Sequence, residues 1–229
     1  MLLVAAVLLG GAGAGAWLAY FRWKDKQRPE PLVVLIIALI AGTAAVLGAS
    51  LGYDALELAG LGAGWFELAG PWPDAGRSAL LIGVLEEIAK LAPVWIIARF
   101  SRHFDEPLDG FVYAAAASTG FALAETLALA SRGDLTLLEI AARAAAAPIT
   151  HALLAAPWGW GIARQVLDGR RWALPLGFLV SALLHAAYDL SLARPRLRAL
   201  APALIAGTWG WMLWMTLRLQ KEPRVEREG

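Results

Sequence analysis

Seven stretches of this chain stay apolar for about the 20 residues that a helix needs to cross the hydrocarbon core of a bilayer. They run approximately Leu2–Phe21, Leu32–Leu51, Ala79–Ala98, Phe111–Ala130, Ala145–Ala163, Trp172–Leu192 and Ala199–Leu217. A backbone inside a bilayer must satisfy its own hydrogen bonds, so such segments are helices. The expected fold is all-α, a polytopic membrane bundle of about seven transmembrane helices. The stretch from Tyr53 to Pro73 mixes Asp54, Glu57 and Glu67 with aromatics and glycines, and reads as a loop or an extra interfacial helix near 53–70. The first segment lacks a charged leader region and exceeds the usual apolar length of a signal peptide, so it is expected to remain as a span. Gly11 and Gly15 form a small-xxx-small pair there, suited to close helix packing.

Composition narrows the chemistry. Of 229 residues, 59% are apolar and 17% charged, against about a quarter charged in soluble domains. Twenty basic and nineteen acidic side chains leave a formal charge of +1. That balance excludes the strong basic excess of a nucleic-acid binder and the high net charge of a disordered chain. With no cysteine, disulfides, thiol catalysis and cysteine-ligated metals are excluded. Any metal must be held by carboxylates and by His103, His151 or His185.

Basic residues orient the chain, because cytoplasmic loops carry the excess of Lys and Arg. With the N-terminus outside and the C-terminus cytoplasmic, thirteen basic residues fall in cytoplasmic segments, from Arg22 to Arg227, and six outside: Arg77, Arg132, Arg143, Arg194, Arg196 and Arg198. The expected location is integral to a membrane in that orientation. Residues 1–229 read as one domain, with motifs confined to 79–192 and a short charged tail at about 218–229. Trp17, Trp23, Trp72, Trp158, Trp160 and Trp172 stand near expected span ends and read as interfacial anchors.

An ionisable residue at mid-bilayer costs about 2.5–3.5 kcal/mol on insertion scales, so it normally faces the bundle interior. Four places break the apolar pattern. The third span holds Glu86-Glu87-Ile88-Ala89-Lys90, with Glu86 and Lys90 four apart on one helix face. Glu87 is rotated about 100° away. Phe104-Asp105-Glu106-Pro107-Leu108-Asp109-Gly110 precedes the fourth span, where Asp105 or Asp109 suits a helix N-cap. Glu125 lies deep in that fourth span. His151 lies in the fifth span and His185 in the sixth, with Asp189 one turn later; a carboxylate there can fix an imidazole tautomer. His103 sits in a loop beside Arg102 and receives no role.

Each feature alone has a structural explanation, an ion pair or a satisfied bundle histidine. Together they place ionisable residues on four helices, which a bundle can converge on one interior site. Two histidines with one or two glutamates form a first-row metal set, with zinc the usual occupant. A free glutamate would then accept the proton of an attacking water. The same residues suit metal-free hydrolysis, with a glutamate as base and a histidine polarising the carbonyl. Spacing does not choose between the two.

These residues resemble the PrsW family of intramembrane proteases, within the wider superfamily of CAAX-prenyl and bacteriocin-processing membrane proteases. The resemblance rests on Glu86-Glu87-x-x-Lys90, on Phe104-Asp105-Glu106-Pro107-x-Asp109-Gly110-x-x-Tyr113, and on Gly120-Phe121-Ala122-x-x-Glu125, with His151 and His185 following in order. It extends more loosely to about Leu192. It implies a membrane endopeptidase of the bacterial plasma membrane, usually described as a metalloprotease and named for cleaving a membrane-anchored anti-sigma factor at its extracytoplasmic side. Glu125 takes the place of a histidine in CAAX-type relatives, and His185-x-x-x-Asp189 is similar to their His-x-x-x-Asn. One departure is Thr126, where the family pattern has Asn.

The leading reading makes Glu86, Glu87, His151 and His185 catalytic, and lets Glu125, His151 and His185 hold zinc or another divalent metal. Lys90, Asp109 and Asp189 then support or cap, and the partners are the lipid bilayer and a membrane-anchored protein substrate, with no nucleic acid. The alternatives are an ion- or proton-coupled transporter, for which the sequence offers no internal repeat, and a catalytically inactive family member that binds a membrane partner.

Overall fold

The computed structural model describes residues 1–26 and 28–222. Among these it contains eight α-helices: α1 (Leu2–Lys24), α2 (Leu32–Leu58), α3 (Trp65–Ala69), α4 (Trp72–Phe100), α5 (Asp109–Arg132), α6 (Leu137–Asp168), α7 (Ala173–Ala193) and α8 (Leu200–Leu219). Each expected span lies within one long helix or within a residue of its ends, and α3 is the short element expected near 53–70. Of the charged tail expected at about 218–229, residues 223–229, with Arg224 and Arg227, lie outside the described residues.

Six of these helices are long and apolar enough to cross a membrane. The exception among the long ones is α4, whose 29 residues include Glu86, Glu87, Lys90 and Arg99. Its lateral surface identifies it as a span nonetheless. Leu80, Val84, Ile88, Trp95 and Ile96 are exposed on it, while Glu86, Glu87 and Lys90 are buried. The bundle is thus polar inside and apolar outside at this helix, as lipid demands. The chain is an integral membrane protein.

The centre of the bundle is α5, which is buried continuously from Asp109 to Ala122. Its small residues explain why. A Cβ on Gly110 would meet the Gly159 carbonyl oxygen of α6 at 2.2 Å, and one on Gly120 would meet the Leu39 oxygen of α2 at 2.0 Å. On α2, a Cβ at Gly42 would come within 1.9 Å of the Ala117 oxygen. These are backbone-to-backbone contacts, the membrane substitute for hydrophobic association. The pairings 42 with 117 and 39 with 120, then 161 with 173 and 157 with 177, run in opposite directions. Neighbouring helices in these pairs are therefore antiparallel.

Gly11 and Gly15 face open space. The close approaches on α1 belong to Gly10, against Leu123, and Gly13, against the Ala144 oxygen, because the buried stripe of α1 runs through Ala6, Gly10, Ala14 and Leu18. The tryptophans divide as well. Trp23, Trp72 and Trp172 are exposed near helix ends, but Trp158 has no exposed surface and belongs to the core. The start of α6 lies eight residues before the expected span. Thr136 and Glu139 form a reciprocal capping box there, which satisfies orphan donors of the first turn.

Replacing Gly42 by Ala is expected to force α2 from α5, costing about 1–3 kcal/mol as overpacking does. Gly11→Ala and Gly15→Ala should leave thermal stability unchanged or slightly raised, since exposed helical Gly costs about 1 kcal/mol relative to Ala. Melting temperatures of the three variants in detergent compare them directly.

Candidate active site

Glu86 and Glu87 share one turn of α4 but face different surroundings. Glu87 has no exposed surface and accepts three hydrogen bonds. Lys90 Nζ lies 2.6 Å and His185 Nδ1 2.7 Å from its Oε1, and Trp158 Nε1 lies 2.7 Å from its Oε2. Donors from α4, α6 and α7 thus meet on one carboxylate. Charge-assisted bonds of this length are about twice as strong as neutral ones.

Glu86 lines a cavity of about 530 Å³. Its Oε1 accepts a hydrogen bond of 2.9 Å from the Tyr53 hydroxyl of α2. Its Oε2 is buried without a hydrogen-bond partner and lies 3.6 Å from His185 Nε2 and 3.9 Å from Lys90 Nζ. The helical rotation between adjacent residues therefore sends one glutamate to the cavity and the other to the core.

The two histidines meet edge to face, with ring centroids 5.7 Å apart. Donation of the His185 Nδ1 hydrogen to Glu87 assigns its tautomer and leaves Nε2 facing Glu86 Oε2 and Asp189 Oδ2, each 3.6 Å away. This is the carboxylate–histidine arrangement that prepares an imidazole to bind a metal. His151 has both nitrogens engaged, Nδ1 at 3.2 Å from Lys90 Nζ and Nε2 at 3.2 Å from Glu125 Oε2. Its use as a ligand requires one of those contacts to be exchanged.

Ligand atoms of Glu86, His151 and His185 lie within 4.8 Å of one another, and all three residues are buried. The carboxylate that joins both histidines is thus Glu86. Glu125 reaches His151 alone and is also paired with Arg143 Nη2 at 2.8 Å. A Glu86 oxygen without a hydrogen bond, with His185 Nε2 3.6 Å from it, is what a two-histidine, one-carboxylate metal site presents, so the donor set fits a divalent ion.

Thr126 also has a visible place. Its hydroxyl lies 3.3 Å from Arg143 Nε and bonds the Ala122 carbonyl at 2.8 Å. It therefore reaches Glu125 indirectly, through the arginine. Lys90 and Asp189 stand beside the site as expected. Asp109 does not: it lies in a separate buried acidic group with Asp25 and Glu106. Nor does it cap α5 in the usual sense, since its Oδ2 reaches back to the N–H groups of Asp105 and Glu106, both at 2.8 Å. His103 stays in the loop after α4. Tyr53 and Trp158 are the partners that sequence reasoning missed. Trp158 read as an anchor because α6 extends to Asp168, ten residues past it.

The cavity draws its walls from Tyr53 of α2, Trp65 of α3, Glu86, Glu125, Arg143 and Asp189. Glu86 stands at the middle of α4, and the others lie at or near the helix ends that lead to the α2–α3, α5–α6 and α7–α8 connections. The site is therefore displaced toward that face of the bundle.

The family model described as PrsW family intramembrane metalloprotease matches residues 30–217. The chain is 32% identical over 219 residues to Protease PrsW of Geobacillus kaustophilus (strain HTA426), covering 94% of this chain and 90% of that protein. It is 34% identical over 191 residues to Protease PrsW of Bacillus subtilis (strain 168), covering 80% and 81%. No solved structure matches it. The chain belongs to the PrsW family and is an intramembrane protease.

Trp158→Phe keeps the ring in the core and removes only the donor to Glu87. Loss of a hydrogen bond to a buried charge is expected to cost about 1.5–3 kcal/mol. Thermal unfolding in detergent should show it as a lower melting temperature, while Trp172→Phe, at the exposed end, should not.

Proposed function

We propose that this PrsW-family protease cleaves a membrane-anchored protein of the anti-sigma-factor kind, within or just below the membrane face toward which its cavity is displaced. The observation that carries this reading is the convergence of Glu86, His151 and His185 within 4.8 Å, with all three on the wall of that cavity. On the distribution of basic residues, the face is the extracytoplasmic one.

The residues that would hold a divalent ion are Glu86, His151 and His185, and the donor set favours zinc. Such an ion would polarise the scissile carbonyl and acidify the attacking water. The rest of the chemistry belongs to the chain. Glu87 holds the Nδ1 hydrogen of His185 and so aims Nε2 at the site. Tyr53 fixes the rotamer of Glu86. Glu125 opens on the same cavity and is the carboxylate placed to take the proton from water, with Arg143, anchored by Thr126, holding it in position. Lys90 offsets the negative charge of Glu87 in a region without solvent. Asp189 stabilises charge that develops on His185.

The test is cleavage of a membrane-tethered reporter by the full chain reconstituted in lipid. Glu86→Gln, His151→Ala, His185→Ala and Glu125→Gln should each reduce turnover by about 10²–10⁴-fold, the usual range for acid–base groups. The same variants should keep a near-native melting temperature. Glu87→Gln should lose both activity and stability, because removing one partner of a buried ion pair costs about 3–5 kcal/mol. Wild-type turnover in both Glu86→Gln and His185→Ala would overturn the site. Activity that survives exhaustive chelation would overturn the metal while leaving the glutamates in place.

A further inference from the structure

A second buried acidic group lies at the opposite end of the bundle, between the α1–α2 connection and the start of α5. Ligand atoms of Asp25, Glu106 and Asp109 lie within 4.8 Å of one another. Asp25 is 1%, Glu106 8% and Asp109 0% exposed. A fourth carboxylate, Glu30, is also buried. It interacts with the Asp109 carboxyl and accepts a short hydrogen bond from the Tyr113 hydroxyl. Four carboxyl groups from two connections thus share one desolvated corner.

Part of this is ordinary loop chemistry. Asp25 Oδ2 accepts the Glu30 N–H at 3.0 Å, and Asp109 Oδ2 accepts the two backbone bonds described above. Arg28 Nη1 meets Glu106 Oε2 at 3.3 Å, with its own side chain about half exposed. The remainder is not accounted for by turns. Asp109 Oδ1 is buried inside the group with no hydrogen-bond partner, and a buried carboxylate oxygen left so is costly.

We infer that this corner is a binding site for a hard divalent cation of the Ca²⁺ or Mg²⁺ class, held by Asp25, Glu106 and Asp109. Oxygen-only donors suit such ions, whose ligands stand about 2.0–2.6 Å from the metal. Ligand atoms in one shell are then at most about 4–5 Å apart, which is the spread observed. Asp109 Oδ1 gains the partner it lacks. The ion would tie the α1–α2 connection to the N-terminus of α5, and would act on stability rather than on the reacting groups. The site shares no residue with the Glu86–His151–His185 group, so its success or failure is independent of the catalytic reading.

Terbium(III), a luminescent substitute for Ca²⁺, tests this on the full chain in detergent, with emission excited through nearby aromatic rings such as Tyr113. Saturable emission that Ca²⁺ or Mg²⁺ displaces is expected, together with a rise of several degrees in melting temperature on adding either ion. Asp25→Asn and Asp109→Asn should each weaken terbium affinity at least tenfold, whereas Glu86→Gln and His185→Ala should leave it unchanged. If Asp109→Asn does not fold, Asp25→Asn and Glu106→Gln supply the same comparison. Absence of saturable emission overturns the inference. So does terbium affinity that is unchanged in Asp25→Asn, or that falls only in the Glu86 and His185 variants.

Discussion

The carboxylate of Glu87 is the point on which the interior depends. It is fully buried and ties three helices together, through Lys90 on its own helix, Trp158 on α6 and His185 on α7. An isolated ionised carboxylate would be too costly in this position, and the attraction of one lysine rarely offsets the desolvation of both partners. What makes it tenable is that both its oxygens are used and that donors approach from different helices. Once Glu87 is in place, Lys90 is held under the ring of Phe121, with Nζ 4.8 Å from the ring centroid, and His185 has one orientation. The geometry of the Glu86–His151–His185 group is a consequence of how a buried charge was satisfied.

This gives adjacent glutamates unequal duties. A polar pair on consecutive helical positions cannot share one environment, since the second is turned by about 100°. Here the turn separates core from cavity. Glu86 keeps an oxygen without a hydrogen-bond partner at the cavity wall, while Glu87 has none to spare. A group with spare bonding capacity is available to an ion or a substrate, and a group with none is available only to hold others. Removing either one abolishes function under this scheme, but for different reasons, which is why stability has to be read alongside turnover.

Much of this was legible in the sequence, because a membrane makes polar residues conspicuous. The helices and their order follow from apolar length, and Glu86, Glu87, Glu125, His151 and His185 stood out as ionisable residues where lipid forbids them. Other features lacked a comparable signal. Trp158 is apolar enough to pass for an anchor, and only the crossing of α6 over α4 brings its N–H to Glu87. Tyr53 fell in a stretch whose Asp54 and Glu57 suggested an interface, although α2 continues through it to Leu58. Which glycines make contact depends on helix rotation, so Gly10 and Gly13 were indistinguishable from Gly11 and Gly15. Asp109 belonged by motif to the catalytic run but by geometry to the other end.

That separation gives α5 a particular mechanical position. The helix begins at Asp109 in the acidic corner and carries Glu125 into the cavity, sixteen residues later, or about 24 Å at 1.5 Å per residue. Between these points its backbone touches α6 at Gly110 and α2 at Ala117 and Gly120. Contacts between backbones cannot be relieved by a change of rotamer, and close-packed interiors transmit displacement rather than absorb it. A shift of the N-terminus of α5 must therefore move α2 and α6 with it, and α6 carries His151 and Arg143. The length of α5 between its two acids is then a requirement of the site itself, because one added residue would rotate Glu125 by about 100° and turn it away from both His151 and Arg143.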